Sequence, residues 1–155
     1  MKTVEDTFLI IRNMTIHDYD KIYQIWYETK GISLRVLDDS KEGTDRFLRR
    51  NPTTNFVCEI ENEIIAVILC GHDGRKGFIY HTVVVEKHRN KGIGKKLVEE
   101  VCKALDAEGI SKVAIVVYSD NDAGKIFWDN LDFKHLSNLD YKVRYLTDKN
   151  ILLKY

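Results

Sequence analysis

Proline is nearly absent from this chain: Pro52 is the only one in 155 residues, and no repeat, low-complexity segment or linker divides the sequence. A surplus of either charge sign is also missing. The 24 basic and 24 acidic residues cancel, so no global field favours nucleic acid or a membrane surface, and any anion site must be local. Cysteine is scarce: Cys58, Cys70 and Cys102 are odd in number, form no C-x-x-C pair and show no spacing with histidine that suits zinc. Each lies in an apolar run, which predicts buried thiols in a reducing cytosol. Nowhere do about eighteen apolar residues run together, and the first residues, M-K-T-V-E-D-T, carry acids where a signal peptide carries an apolar stretch. The expectation is a soluble, cytoplasmic protein without metal.

What remains is an ordinary globular composition, 44% hydrophobic and 31% charged, long enough for one self-supporting domain over residues 1–155. Residues 8–11 predict a first strand. Thr15 and Asp18 resemble a capping box, after which Tyr19, Ile22, Tyr23 and Trp26 share one helical face. Residues 31–39 read as a connection, and a short polar helix containing Phe47 and Leu48 stops at Asn51-Pro52. Three apolar runs follow, at 56–60, 64–71 and 78–85. Glu61-Asn62-Glu63 and Asp73-Gly74 supply turns between them, so the runs should pair antiparallel.

A helix over 93–108 carries Ile93, Leu97, Val98, Val101, Cys102 and Leu105 on one stripe and ends at Gly109. Residues 113–118 predict a buried strand, 121–131 a short helix, and 133–137 with 141–146 a closing pair of strands followed by a tail. The unit from 78 to 118 should be a parallel, right-handed strand–helix–strand crossover. The predicted fold class is therefore α/β (α+β): a mixed, mostly antiparallel sheet with flanking helices and one central parallel crossover.

The most informative stretch is V-V-V-E-K-H-R-N-K-G-I-G-K at 83–95, where a β-branched run ends in a basic, glycine-bearing turn that opens into the long helix. Backbone N–H groups, the positive end of a helix dipole and several cations converge there, which suits a pyrophosphate. A Walker loop is excluded, because Arg89 stands five before Gly94 and Lys96 follows Lys95. A dinucleotide fingerprint is excluded too, because Leu97 stands where a third glycine is needed. Basic residues oppose the dipole at a helix N-terminus, so a bare solvated turn would rarely select them.

The run Arg89-Asn90-Lys91-Gly92-Ile93-Gly94 fits R-x-x-G-x-G and resembles the acetyl-coenzyme A motif of the GNAT superfamily of N-acetyltransferases. The order of elements matches over nearly the whole domain. The resemblance implies acetyl-CoA as co-substrate, held by the turn residues Arg89, Asn90, Lys91, Gly92, Ile93, Gly94 and Lys95. It also implies pairing of the pantetheine amides with the backbone of Thr82, Val83 and Val84. Asn121 would hydrogen-bond the pantetheine arm; its residue type is equally suited to capping the helix that it opens.

The pattern breaks at Trp128, where many family members place the tyrosine that protonates the departing thiolate, and at Asp132, where a glycine is usual. Indole N–H is no practical acid near neutrality. Tyr118 is a substitute acid or an aromatic covering a sheet edge. A lysine-like acceptor amine (pKa ~10.4) needs about 4.6 kcal/mol for deprotonation at pH 7. A base therefore helps, and imidazole is a practical one. Tyr80 and His81 lie on the strand before the turn, and at most one of them should face the cleft from a regular strand. His81 is the base candidate, its alternative being an ordinary polar sheet residue.

Asp38, Asp39 and Glu42, read as exposed acids, could attract a cationic amine, though such loop acids are more often merely solvated. The expected activity is direct attack of an amine, on a small molecule or on a protein or peptide, upon acetyl-CoA in a ternary complex. The cysteines lack an activating partner for a ping-pong route. The alternative is a non-catalytic acyl-CoA-binding regulatory module, motivated by Trp128. Nucleic acid and membrane are not expected partners, and assembly as a homodimer is left open.

Overall fold

The computed structural model describes residues 8–154; the N-terminal M-K-T-V-E-D-T segment read above lies outside them. A five-stranded sheet runs in the order β1 (Leu9–Asn13), β3 (Phe56–Ile60), β4 (Glu63–His72), β5 (Gly77–Val84) and β6 (Val113–Ala114). Every neighbouring pair is antiparallel except β5–β6, which is parallel. α3 (Ile93–Ala107) makes the crossover between those two strands. This is the mixed sheet that the sequence predicts.

Period-2 alternation feeds a separate core on each face. Cys58, Ala66, Ile68 and Cys70 point to the side covered by Ile93, Leu97, Val98, Val101 and Leu105 of α3. Val57, Val67, Leu69 and Val83 point to the opposite side, where α1 (Tyr19–Glu28) brings Ile22, Ile25 and Trp26 and α2 (Lys41–Arg50) brings Leu48. The Thr15–Asp18 capping box is present, and Asp18 also receives Arg12. At the β3–β4 turn both Glu61 and Asn62 take positive φ, as a tight two-residue hairpin requires.

Four expectations are corrected. Residues 133–137 and 141–146 are not strands: they are largely exposed and pair with nothing as a ladder. β6, the strand on that side of the sheet, has only two laddered residues, and the chain beyond it adds no further strand to that sheet. The run expected at 113–118 leaves the sheet after Ala114, with Val116 and Tyr118 at least half exposed. The chain's closing pair lies elsewhere: β2 (Leu34–Arg35), inside the expected connection, pairs antiparallel with β7 (Leu152–Lys154), inside the expected tail. Finally, Cys102 is exposed while Cys58 and Cys70 are buried, because Cys102 lies beside the stripe of α3 rather than on it.

Candidate functional site

β5 and β6 pair only at Gly77–Val113 and Phe78–Ala114 and then part. The opening between them is a cavity of about 440 Å³ bordered by Tyr80, His81, Thr82, Tyr118, Asn121 and Trp128. A second cavity of about 640 Å³ lies toward α2, walled by Asp39, Arg46, Phe47, Arg50, Tyr80 and His81. Ser33, Tyr80 and His81 border both, so the two form one bent cleft with its elbow at those residues.

The basic turn follows β5, along the chain beyond Thr82, the last β5 residue that borders the first cavity. Asn90 and Gly92 both take left-handed φ, 61° and 79°, and Gly92 is the N-cap of α3. The first intrahelical bond runs from the N–H of Lys96 to Gly92 O, so the N–H groups of Ile93, Gly94 and Lys95 precede it with no side-chain cap. The Ile93 side chain is buried in the core, which leaves only its backbone for a ligand. Gly94 has a packing role as well: a Cβ there would meet the Phe127 ring at 3.1 Å. Lys87, Lys91 and Lys95 are exposed around the turn. Burial of its ring, followed by the charges of Lys91 and Lys87, holds His88 below the usual histidine range.

The Arg89 side chain is turned back, its Nε donating to Val84 O at 2.8 Å. The N–H of Val85 donates to Ile65 O, so by antiparallel alternation the polar groups of Val84 face away from β4. Arg89 occupies that carbonyl and leaves the Val84 N–H on the open edge. Val83, one residue back, has its backbone turned toward β4 by the same alternation.

Asn121 does what a cap does: its Oδ1 accepts from the N–H of Gly124 at 2.9 Å and opens α4 (Asp122–Asp129). Its Nδ2 makes no hydrogen bond among the described residues. Trp128 stacks edge-on with both Phe127 and Phe133, each at 4.9 Å between ring centres, and shows one border to the cavity. Asp132, at φ 65°, adopts the left-handed conformation a glycine would have taken easily.

The elbow differs from the expectation of a regular strand. Leu69 pairs with Tyr80 and Val67 with Val83, so Ile68 alone on β4 opposes both His81 and Thr82 on β5. This is a β-bulge, and His81 carries its left-handed φ of 38°. The extra residue breaks the alternation, and Tyr80 and His81 both border the cleft.

His81 Nε2 lies 2.6 Å from Asp39 Oδ1, while Trp26 packs edge-on to the imidazole at 4.9 Å. Asp39 is not a solvated loop acid. It is 7% exposed, its Oδ2 accepts from the N–H of Arg35 at 2.7 Å, and its carbonyl accepts from Tyr19 Oη. Such a carboxylate only accepts, so Nε2 carries the proton and the basic lone pair of His81 falls on Nδ1. Sequence reasoning missed Asp39 as an orienting group because 42 positions separate it from His81.

Tyr118 Oη stands 2.6 Å from Ser33 Oγ, which brings the phenol to the elbow from the opposite wall. Burial, followed by Tyr141, Cys70 and Asp38, raises Tyr80, which keeps it a neutral phenol. Burial pushes the Cys58 thiol up to about 11 and that of Cys70 up to about 12, so neither is a nucleophile near neutral pH. Among the described residues no group of three or more His, Cys, Asp or Glu is disposed to hold a metal. Nor is any helix long and apolar enough to cross a membrane.

Comparison with known proteins gives the class to which this fold and cleft belong, the acetyltransferases. Residues 16–133 match the model of the acetyltransferase (GNAT) family, and the chain belongs to that family. An acetyltransferase of Sodalis glossinidius is 28% identical over 124 residues, covering 80% of this chain and 86% of that protein. One of Pectobacterium atrosepticum is 27% identical over 139 residues, covering 90% and 97%. Among solved structures, Ard1 of Thermoplasma volcanium superposes with a TM-score of 0.72 at 18% identity, over 81% of this chain and 82% of that one. Diaminobutyrate acetyltransferase of Paenibacillus lautus, in complex with L-2,4-diaminobutyric acid and coenzyme A, gives 0.68 at 18% identity, over 81% and 75%.

Proposed function

We propose that this protein transfers an acetyl group from acetyl-CoA to an amine by direct attack in a ternary complex. The observation that supports this reading is the continuity of the cleft: one arm lies between the parted β5 and β6, along the strand that leads into the basic turn, the other opens toward α2, and they meet at Ser33, Tyr80 and His81. Acetyl-CoA supplies the acyl group as a thioester.

The residues present fit such a donor. The uncapped N–H groups of Ile93, Gly94 and Lys95, with Lys91 and Lys95 nearby, suit a pyrophosphate. The Val84 N–H on the open edge, the Thr82 backbone and Asn121 Nδ2 suit the amides of the pantetheine arm. The buried Thr82 Oγ1, which has no partner among the described residues, offers a further polar contact.

At the elbow the chemistry divides between two walls. His81, held through Nε2 by Asp39, has Nδ1 available to take the proton that the amine loses as its nitrogen bonds to the acyl carbon. Tyr118 stands on the opposite wall and would protonate the sulfur as the C–S bond breaks, the task that Trp128 cannot perform. Ser33 shares a hydrogen bond with that phenol and holds it in place. With the thiols held protonated by burial, no acyl-enzyme is expected.

The test is thiol release from acetyl-CoA against a broad amine panel, together with calorimetric titration of acetyl-CoA. Amine-dependent release with micromolar donor affinity is expected. Tight donor binding without release for any amine would favour the regulatory module motivated by Trp128, and equal affinity for ATP would reject the coenzyme A site altogether.

A further inference from the structure

The arm of the cleft that faces α2 has an unbalanced set of charges. Its two acids are engaged: Asp39 holds His81 and the N–H of Arg35, and Asp38 accepts from Asn150 Nδ2 at 2.8 Å. Arg35 is engaged as well. It donates to Asn150 O at 3.0 Å, and its guanidinium lies 5.1 Å from the centre of the Tyr145 ring. Arg46 and Arg50 are different. They stand one turn apart on α2, both border the cavity, and neither has an ion-pair or hydrogen-bond partner among the described residues.

Like charges four apart on a helix repel, and this helix pairs its arginine elsewhere: Arg49 Nε meets Asp45 Oδ2 at 3.0 Å. The two unpaired arginines line the cavity and the paired one lines no part of it. A fork of donors without an acceptor, beside the apolar wall of Phe47, Leu69 and Tyr80, is arranged for a carboxylate or a phosphate.

Building on the acetyltransferase reading, we propose that the acceptor is a small amphoteric molecule. Its amine lies toward the Asp39–His81 end of the cavity, and a carboxylate or phosphate at its other end is held by Arg46 and Arg50. The anion sets which amines are accepted, and the apolar wall spans the carbon chain between the two groups. A simple polyamine, cationic at both ends, would meet two arginines at its far end and be rejected.

Matched pairs of acceptors that differ in the anion test this: L-lysine against cadaverine, L-ornithine against putrescine, and glucosamine 6-phosphate against glucosamine. In each, calorimetric affinity for the coenzyme A-saturated protein and kcat/KM for thiol release are measured. The anionic member of at least one pair is expected to win by roughly 10- to 100-fold, as charge-assisted bidentate contacts allow. Which pair wins separates a carboxylate from a phosphate. In Arg46→Gln and Arg50→Gln, both surface changes, the ratio within that pair should fall toward one, through affinity and KM rather than kcat.

If no pair favours its anionic member in binding or turnover, or if the ratio survives both substitutions, the proposal is overturned. Absence of thiol release with every amine, while acetyl-CoA binds, would instead count against the transferase reading. The binding comparison would still decide the anion site.

Discussion

His81 Nε2 and Asp39 Oδ1 meet at 2.6 Å across 42 positions of sequence, joining the bulge of β5 to the residue before the N-cap of α2. One residue comes from the sheet and the other from the wall of the cavity toward α2, so their contact closes the elbow of the cleft. With the carboxylate at Nε2, the lone pair of the neutral ring lies on Nδ1, the base in the proposed mechanism.

His81→Gln is therefore expected to lower kcat/KM about 10²-fold or more, within the usual range for a general base. Asp39→Asn should lower it roughly 10-fold, because an amide at that place can donate and turn the imidazole tautomer over. Both variants should bind acetyl-CoA like the parent in calorimetry. Full activity of His81→Gln across pH 6–9 would remove it from the mechanism.

Tyr118→Phe keeps the ring and deletes the hydroxyl that meets Ser33 at 2.6 Å. A loss in kcat of about 10- to 100-fold is expected, with little change in KM, since the acid acts as the C–S bond breaks. The loss should shrink when the acyl donor carries a more acidic thiol, which leaves without help. A loss equal for both donors would point to a structural role.

Gly92→Glu is expected to abolish acetyl-CoA binding. A Cβ at Gly92 meets nothing within 4 Å, so the fold has room, but the carboxylate would stand beside the site for the pyrophosphate. The φ of 79° also adds strain of about 1–2 kcal/mol for any L side chain. Gly92→Ala carries that strain without the charge. It should lower the thermal midpoint by as much as Gly92→Glu while keeping measurable affinity. Retained affinity in a folded Gly92→Glu protein would reassign the turn.

Gly94→Ala should behave differently, because its Cβ would press on the Phe127 ring at 3.1 Å. Overpacking of this kind costs about 1–3 kcal/mol, and Phe127→Leu in the same chain should recover part of it. Urea unfolding of the four proteins of that cycle measures the coupling; simple additivity would show that the two sites do not press on each other.

Asp18 links stability to pH. Burial raises its carboxyl, but the two hydrogen bonds from Arg12 and the one from the N–H of Thr15 outweigh it, and the net shift is downward. A depressed folded-state pKa contributes stability that is present above the unfolded value, near ~3.9, and is lost as pH falls through the folded one. The thermal midpoint of the parent should thus decline below about pH 4. Asp18→Asn should be less stable at pH 7, by about 1–3 kcal/mol, and should decline less over that acid window. Parallel declines would place the acid sensitivity elsewhere.

What the residues determine locally is legible without coordinates. Alternating apolar runs specify β3, β4 and β5, the stripe from Ile93 to Leu105 specifies α3, and the glycines at 92 and 94 mark the turn that opens it, because each signal repeats within a few positions. Tertiary structure alone decided the rest. The bulge at His81 and Thr82 adds one residue to one strand, which no periodicity records, yet it turns both Tyr80 and His81 to the cleft. Residues 133–146 have strand-like composition but join no ladder among the described residues, while Leu34 and Lys154 find each other across the whole chain. Backbone pairing and the burial of Asp39 against His81 depend on which distant segments arrive together, and that is set by packing rather than by neighbours in sequence.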